Sequence, residues 1–300
     1  MDVDIVIVNY KSEDCLPKCL DSIHRSLNGI TAVVRIQNND PHADLKEFPR
    51  LFPDVLITNN KQNIGFGAAV NRALRQSHAP YVLILNPDTT LDDRFFEDVL
   101  RFLENHPDVG VLGPRIFDLH GKVQGSARSF PTPLTAFFGR STTLSRLFPN
   151  NPLTRSNILN FQMKDDSPME VDWVSGACMM ARTRAVESVG LFDQRFFMYW
   201  EDADWCKRMW ENGWKVVYYP QASVVHLGGK SSSQRVYRSI LDFHKSSFLF
   251  FLKHSRGIDR LLLGVAYFGL SLRACCLMAS NFLRNDSGLR QNERRPGQRG

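Results

Sequence analysis

Over the first 115 residues, short unbroken apolar runs alternate with longer stretches whose apolar positions recur every three or four residues. Val3–Val8 is a near-continuous apolar run, the pattern of a strand buried on both faces. Leu16, Cys19, Leu20, Ile23 and Leu27 keep helical spacing and predict a helix over 14–27. Ala32–Ile36 and Val55–Thr58 read as two further strands, the second followed by a helix over 68–77. Tyr81–Leu85, a helix over 92–105 and a strand at Val109–Leu112 complete this half. Strands that alternate with helices predict an α/β fold, with a mostly parallel sheet and helices on both faces.

The rhythm then changes. Residues 126–168 hold five prolines and little periodicity, as in a functional loop or lid. Order returns with an apolar strand at Val171–Ala181, a helix over 201–213, and strands at Lys215–Tyr219 and Ser223–His226. Beyond them Tyr237, Ile240, Leu241, His244, Phe248, Phe251 and Leu252 keep helical spacing, with Arg238, Lys245, Lys253 and Arg256 between them. Leu261–Leu272 carries no charge, but twelve residues fall short of a bilayer span. The expected organisation is one domain over 1–229, with one half to about 115 and a second from about 116. A basic helical tail over 230–300 follows.

Charge sharpens this division. The 300 residues carry a net +6, yet residues 230–300 hold 13 Lys and Arg against 4 Asp and Glu, and residues 1–229 hold 24 against 27. A nucleic-acid enzyme concentrates basic residues along its groove, so nucleic acid is not an expected partner. A basic amphipathic tail suits an anionic membrane surface, and a helical hairpin packed on the sheet or in a homodimer is the alternative. Met1-Asp2-Val3-Asp4 is acidic and shows no signal peptide. The six cysteines show no disulfide framework or zinc spacing, and Cys15 and Cys19 read as packing on one helix face. The expected location is cytoplasmic, peripheral on the inner face of the cell membrane.

Each polar cluster of the first 115 residues follows a strand, so these clusters gather on the sheet edge where α/β folds bind ligands. Tyr81–Leu85 breaks onto Asn86-Pro87-Asp88, where Pro87 stops strand pairing. Oxygen ligands placed there suit Mg²⁺ or Mn²⁺ holding substrate phosphates, and a plain Pro-Asp turn is the other reading. Tyr10 can stack on a pyrimidine base or simply close its strand. Asp40 can accept the N3–H of uracil or thymine, or form a turn. Asn63-Ile64-Gly65-Phe66-Gly67 opens a helix, where backbone N–H groups can meet a nucleotide. Glu201 and Asp202 start a helix among Phe196, Phe197, Tyr199, Trp200, Trp205 and Trp210, walls that suit a sugar cleft and a carboxylate base. Asp204 and Arg208 are spaced to pair on that helix's surface. His226 ends a strand before Gly228 and Gly229, and Trp173 precedes Gly176.

Together Ile5–Tyr10, Asn38-Asn39-Asp40, Asn63–Phe66, Asn86-Pro87-Asp88, Trp173–Gly176, Trp200–Trp205 and His226–Gly229 resemble the GT-A glycosyltransferases of family 2, in their bacterial rhamnosyltransferase branch. The resemblance covers about residues 3–254. It implies an inverting, metal-dependent transfer with Asp202 as base and Glu201 on the acceptor hydroxyls. It places the nucleotide-sugar on Tyr10, Asp40, Asn63, Gly65, Asn86 and Asp88, the metal on Asp88 and His226, and the acceptor along Trp173, Gly176 and Glu201. The implied donor is dTDP-L-rhamnose, and the acceptor is a surface-polysaccharide or polyprenyl-linked saccharide. Two other classes share such a sheet. A sugar-phosphate nucleotidyltransferase needs a glycine-rich basic loop after the first strand, where this chain has Asn9-Tyr10-Lys11-Ser12-Glu13. A non-catalytic carbohydrate- or membrane-binding protein has no use for Asp88 and Asp202 together.

Overall fold

The first strand, β1 (Val3–Asn9), sends Val3, Ile5 and Ile7 into one hydrophobic core and Val6 and Val8 into a second on the other face. That two-sided burial explains its unbroken apolar pattern. A computed structural model describes residues 1–131, 158–161, 163, 165–228 and 236–293, with side chains to residue 283. After β1 come α1 (Leu16–Leu27), β2 (Ala32–Asn38), α2 (Phe48–Leu51), β3 (Val55–Asn59) and α3 (Phe66–Leu74). Next are β4 (Tyr81–Leu85), β5 (Thr89–Leu91), α4 (Phe95–Asn105), β6 (Val109–Phe117) and β7 (Ala127–Arg128). The second half holds β8 (Met169–Glu170), β9 (Trp173–Val174), β10 (Cys178–Arg182), α5 (Thr183–Val189), α6 (Glu201–Glu211) and β11 (Lys215–His226). Three helices end the chain: α7 (Val236–His254), α8 (Ile258–Leu261) and α9 (Leu263–Glu293).

The main sheet runs β3-β2-β1-β4-β10-β6-β11-β5, with β8 on β11. Its first four strands are parallel, in the α/β arrangement expected. Beyond them β10 runs antiparallel to both neighbours, while β6 and β11 are parallel to each other. Helices α1 and α4 cover one face, and α3, α6 and α7 cover the other.

Several boundaries differ from expectation. Val171–Ala181 is two strands, β9 and β10, because the chain turns at Ser175-Gly176-Ala177. There the Ser175 N–H donates to the Ser126 carbonyl at 2.9 Å and the Gly176 N–H donates to Asp202. Conversely, Lys215–Tyr219 and Ser223–His226 are one strand, whose register slips between Tyr219 and Ser223, across Pro220. A proline lacks the donor N–H, so the ladder skips it. The predicted lid lies largely in 132–157, outside the described residues, as does Gly229.

The C-terminal helices also differ. Phe250 and Phe251 of α7 and Ala266 and Leu270 of α9 are buried in the second core. Helix α9 continues past Arg273, and Leu263–Leu283 is long and apolar enough, by length and composition, to cross a membrane. The uncharged run of twelve therefore understates the apolar length of this helix. A single arginine interrupts the uncharged count without interrupting the helix. The expected Asp204–Arg208 pair forms at 3.0 Å, but with Asp204 fully buried beneath α7, not on the surface.

Candidate active site

A cleft of about 440 Å³ opens at the carboxyl ends of β1 and β4. It brings together Tyr10, Asn63, Asn86, Asp88, Trp173, Gly176, Glu201, Asp202 and His226, nine of the eleven residues singled out from sequence. Asp40 and Gly65 are not on its wall.

Each absence has a physical reason. Asp40 is buried, and its Oδ1 accepts the His42 N–H at 3.0 Å, which closes a turn. Its neighbour Asn39 reaches the cleft instead, donating from Nδ2 to the Gly65 carbonyl at 3.1 Å and accepting from Asn60 at 2.8 Å. Gly65 has φ +90°, and a Cβ there would stand 2.6 Å from the Phe197 carbonyl oxygen. The close approach lets the Phe66 N–H donate to that carbonyl at 3.0 Å. Gly65 thus fixes the segment leading to Glu201 and Asp202 and does not line the cleft.

That segment is strained where it enters α6. Tyr199 and Trp200 have φ of +69° and +70°, uncommon for side-chain-bearing residues and a cost that surrounding packing must hold. Trp200 packs near Trp173, Phe243 and Phe250, with ring centroids 6.2, 5.7 and 5.4 Å away. The strain presents Glu201 and Asp202 at the first turn of α6. Asp202 Oδ2 accepts the Gly176 N–H at 3.0 Å, and Oδ1 accepts the Ala203 N–H at 2.8 Å. A Cβ on Gly176 would meet Asp202 at an ordinary 3.6 Å, so the contribution of Gly176 is its N–H, not its small size.

Burial pushes the Asp202 carboxyl above the ordinary aspartate value, against the two N–H donors. Glu201 is buried, its Oε2 has no partner, and burial with the adjacent Asp202 charge holds its carboxyl well above the usual range. Two neighbouring carboxylates in one apolar recess favour keeping one proton between them. Asp202, hydrogen-bonded as an acceptor, is the member arranged to carry the charge.

At the β4 end, the Asn86 N–H donates to the Ala177 carbonyl at 2.9 Å, and the Leu227 N–H donates to the Asp88 carbonyl at 3.0 Å. The first bond ties the end of β4 to the start of β10, and the second ties the segment after β4 to the end of β11. His226 Nε2 lies 3.3 Å from Asp88 Oδ1 and 3.4 Å from Asn86 Nδ2. Gln124 donates from Nε2 to the His226 carbonyl at 2.9 Å, so its Oε1 is free to accept from Nδ1 at 3.2 Å. Nε2 then faces the Asn86 amide and Asp88 Oδ1. An N,O donor pair of this kind suits Mn²⁺ or Mg²⁺ completed by phosphate oxygens and water. Among the described residues no cluster of three or more His, Cys, Asp or Glu forms a self-sufficient metal cage.

Sequence reading missed three contributors. Arg128 lines the cleft with its guanidinium 5.0 Å from the Trp173 ring centroid, and its charge acts on Asp202. Its only sequence signal is a position within an aperiodic stretch. Gln124, just before that stretch, orients His226. Phe243 belongs to α7, which sequence reading assigned to the tail.

Comparison with known proteins agrees with this geometry. The family model described as glycosyltransferase like family 2 matches residues 2–240. An N-acetylglucosaminyl-diphospho-decaprenol L-rhamnosyltransferase of Mycobacterium tuberculosis is 29% identical over 293 residues, covering 94% of each chain. The rhamnosyltransferase WbbL of Escherichia coli is 25% identical over 75% of this chain and 83% of its own. Among solved structures, the mannosyltransferase PcManGT of Pyrobaculum calidifontis in complex with GDP-Man and Mn²⁺ superposes with a TM-score of 0.56 at 15% identity, over 96% of this chain and 79% of that one. Staphylococcus aureus TarS 1-349 gives 0.54 at 14% identity, over 89% and 71%. With the matched model spanning most of its length and its cleft at the sheet edge, the chain belongs to the family 2-like glycosyltransferases, on a GT-A fold.

Proposed function

We propose that this enzyme transfers L-rhamnose from dTDP-L-rhamnose, with inversion, to a saccharide carried on a polyprenyl diphosphate at the cytoplasmic face of a membrane. The observation that carries the reading is Asp202, a charge-bearing carboxylate held by two N–H donors in the same cleft as Asp88 and His226. The names and coverage of the two rhamnosyltransferase relatives support the donor and acceptor.

In this mechanism Tyr10 stacks on the thymine, and Asn63, held by Asn39, offers its amide to the nucleoside. Asp88 and His226 would hold a Mg²⁺ or Mn²⁺ ion, which when bound neutralises charge on the leaving diphosphate. Asp202 accepts the proton of an acceptor hydroxyl as that oxygen bonds to the anomeric carbon. The bond from that carbon to the diphosphate breaks, and its electron pair leaves with dTDP. The protonated Glu201 donates to an acceptor oxygen, and Trp173 and Trp200 flank the sugar. Exposed Ile258, Leu261, Phe268 and Leu272 on α8 and α9, with the basic residues of the C-terminal region, hold the enzyme against anionic lipid.

Calorimetry with dTDP tests the donor half of the site. Wild-type protein binds dTDP more tightly in Mn²⁺ than in EDTA, and Asp88→Ala removes that difference. An unchanged Mn²⁺ effect in the variant takes Asp88 out of the site.

A further inference from the structure

Arg273 is the single charged residue within Leu263–Leu283. An arginine on an apolar helix ordinarily extends its head to water. Here it turns towards α7, where its guanidinium carbon lies 5.6 Å from the Phe243 ring centroid and its Nε is buried without a hydrogen-bond partner. Among the described residues no carboxylate pairs with it. Asp242 faces Arg238 at 3.7 Å, and Asp204 is taken by Arg208, Lys253 and His254.

His244, whose charge Arg273 opposes, does not supply a counter-charge. His244 is buried, and its Nδ1–H donates to the Ile240 carbonyl at 2.6 Å, which leaves Nε2 bare and unpartnered. Burial, together with the Arg273 charge, lowers its pKa and keeps it neutral. A half-buried guanidinium with its Nε unpaired and no carboxylate before it is unfavourable, and an incoming anion relieves that state. The position also indicates where the anion comes from. On one side Phe243 lines the cleft beside Trp200, 5.7 Å away between ring centroids. On the other side lie the exposed apolar residues Phe268 and Leu272 of α9, 69% and 54% exposed.

We propose that Arg273 receives the diphosphate of a lipid-linked acceptor, with the isoprenoid along the exposed face of α9 and the sugar reaching past Phe243 and Trp200 into the cleft. The proposal rests on the polyprenyl-linked reading above and assigns its anionic group to a residue outside the donor site. Arg273 then sets how far the lipid's sugar enters the cleft, and a soluble saccharide does not use it.

The test measures binding of farnesyl diphosphate to full-length protein in neutral detergent micelles, with EDTA present so that a cation at Asp88 does not contribute. Farnesol and inorganic pyrophosphate are the comparison ligands. Wild-type protein binds farnesyl diphosphate at least about tenfold more tightly than either, and Arg273→Met abolishes the preference over farnesol while Arg273→Lys keeps part of it. In transfer assays Arg273→Met raises KM for a lipid diphosphate acceptor and leaves donor hydrolysis unchanged. Arg273→Gln replaces the methionine variant if that variant fails to melt cooperatively. A retained preference for farnesyl diphosphate over farnesol in these variants overturns the proposal. Equal binding of inorganic pyrophosphate overturns it too, because the site then takes free phosphate and not a lipid. Absent hydrolysis of dTDP-L-rhamnose by wild-type protein defeats the donor reading alone, and the micelle binding still decides Arg273.

Discussion

Asp204 is the most consequential buried charge away from the cleft, and replacing it by asparagine gives a sharp test of how α7 is attached. The carboxylate is fully buried, with Arg208 Nε at 3.0 Å, Lys253 Nζ at 2.7 Å and His254 Nε2 at 2.7 Å. Lys253 also meets Asp193 at 2.8 Å, and Arg208 donates to the Val189 and Leu191 carbonyls at 2.9 Å each. Asp204→Asn keeps the shape and leaves Arg208 and Lys253 facing a neutral amide. Removing one member of a buried ion pair costs about 3–5 kcal/mol. The partners here are 7–21% exposed and the other contacts of Lys253 and Arg208 survive, so the lower end, about 3 kcal/mol, applies. For a domain of this size that corresponds to a fall in Tm of about 6–9 °C. Burial alone raises the Asp204 carboxyl, but the hydrogen bonds from His254 and Lys253 and the Arg208 and Lys253 charges outweigh it and hold the group below its usual value. Its contribution is therefore present above the unfolded-state value near pH 4 and is lost as pH falls through the lower folded value. Urea unfolding of wild type and variant at pH 7 measures the difference, and the same pair followed towards pH 3 shows the gap narrowing. Arg25–Asp93, with side chains 59% and 72% exposed, is the control, where Asp93→Asn costs at most about 1 kcal/mol. If Asp204→Asn costs no more than that control, the latch between α6 and α7 does not hold as described.

Two further outcomes follow from the site and the tail. Because burial raises the Asp202 carboxyl, the acid limb of kcat/KM lies above the ordinary aspartate value of about 3.9, and activity grows as pH rises through it. The raised group also makes folding less favourable as pH climbs from the unfolded to the folded value, so Asp202→Asn gains in relative melting temperature over that window, and a gap that shrinks instead contradicts the burial argument. Replacing Leu261, Phe268 and Leu272 together by serine removes about 1 kcal/mol of partial insertion each and lowers affinity for anionic vesicles about a hundredfold in flotation, whereas unchanged flotation means that this face does not meet lipid.

The strand ends were legible in sequence because two-sided burial leaves unbroken apolar runs and because Pro87 stops β4 at a fixed place. Residues within a few positions of a strand end, such as Tyr10, Asp88 and His226, therefore come together on the cleft. Roles set by distant chain segments did not. Asp40 and Asn39 are adjacent and equally polar, and the choice between them depends on a turn to His42 and on Asn60, 21 residues from Asn39. The break between β9 and β10 depends on the Asp202 carboxylate 26 residues beyond Gly176. Arg128 and Gln124 sit where no period marks them. The tail was legible in part: Phe251 stood on the expected helical stripe and is in the core with Phe250, as in the packed alternative, whereas Arg273 faces inward, where a rule that counts charges along the chain cannot place it.

The central claim concerns Asp202, and transfer to a lipid acceptor tests it directly. Radiolabelled dTDP-L-rhamnose and a polyprenyl diphosphate-linked N-acetylglucosamine are incubated with wild-type protein and with Asp202→Asn in the presence of Mn²⁺. The account predicts labelled lipid product from the wild type, a loss of about 10²–10⁴-fold in kcat for the variant, and donor affinity unchanged within about twofold. Transfer by Asp202→Asn within a few-fold of wild type, with donor still bound, would contradict it and move the base elsewhere in the cleft.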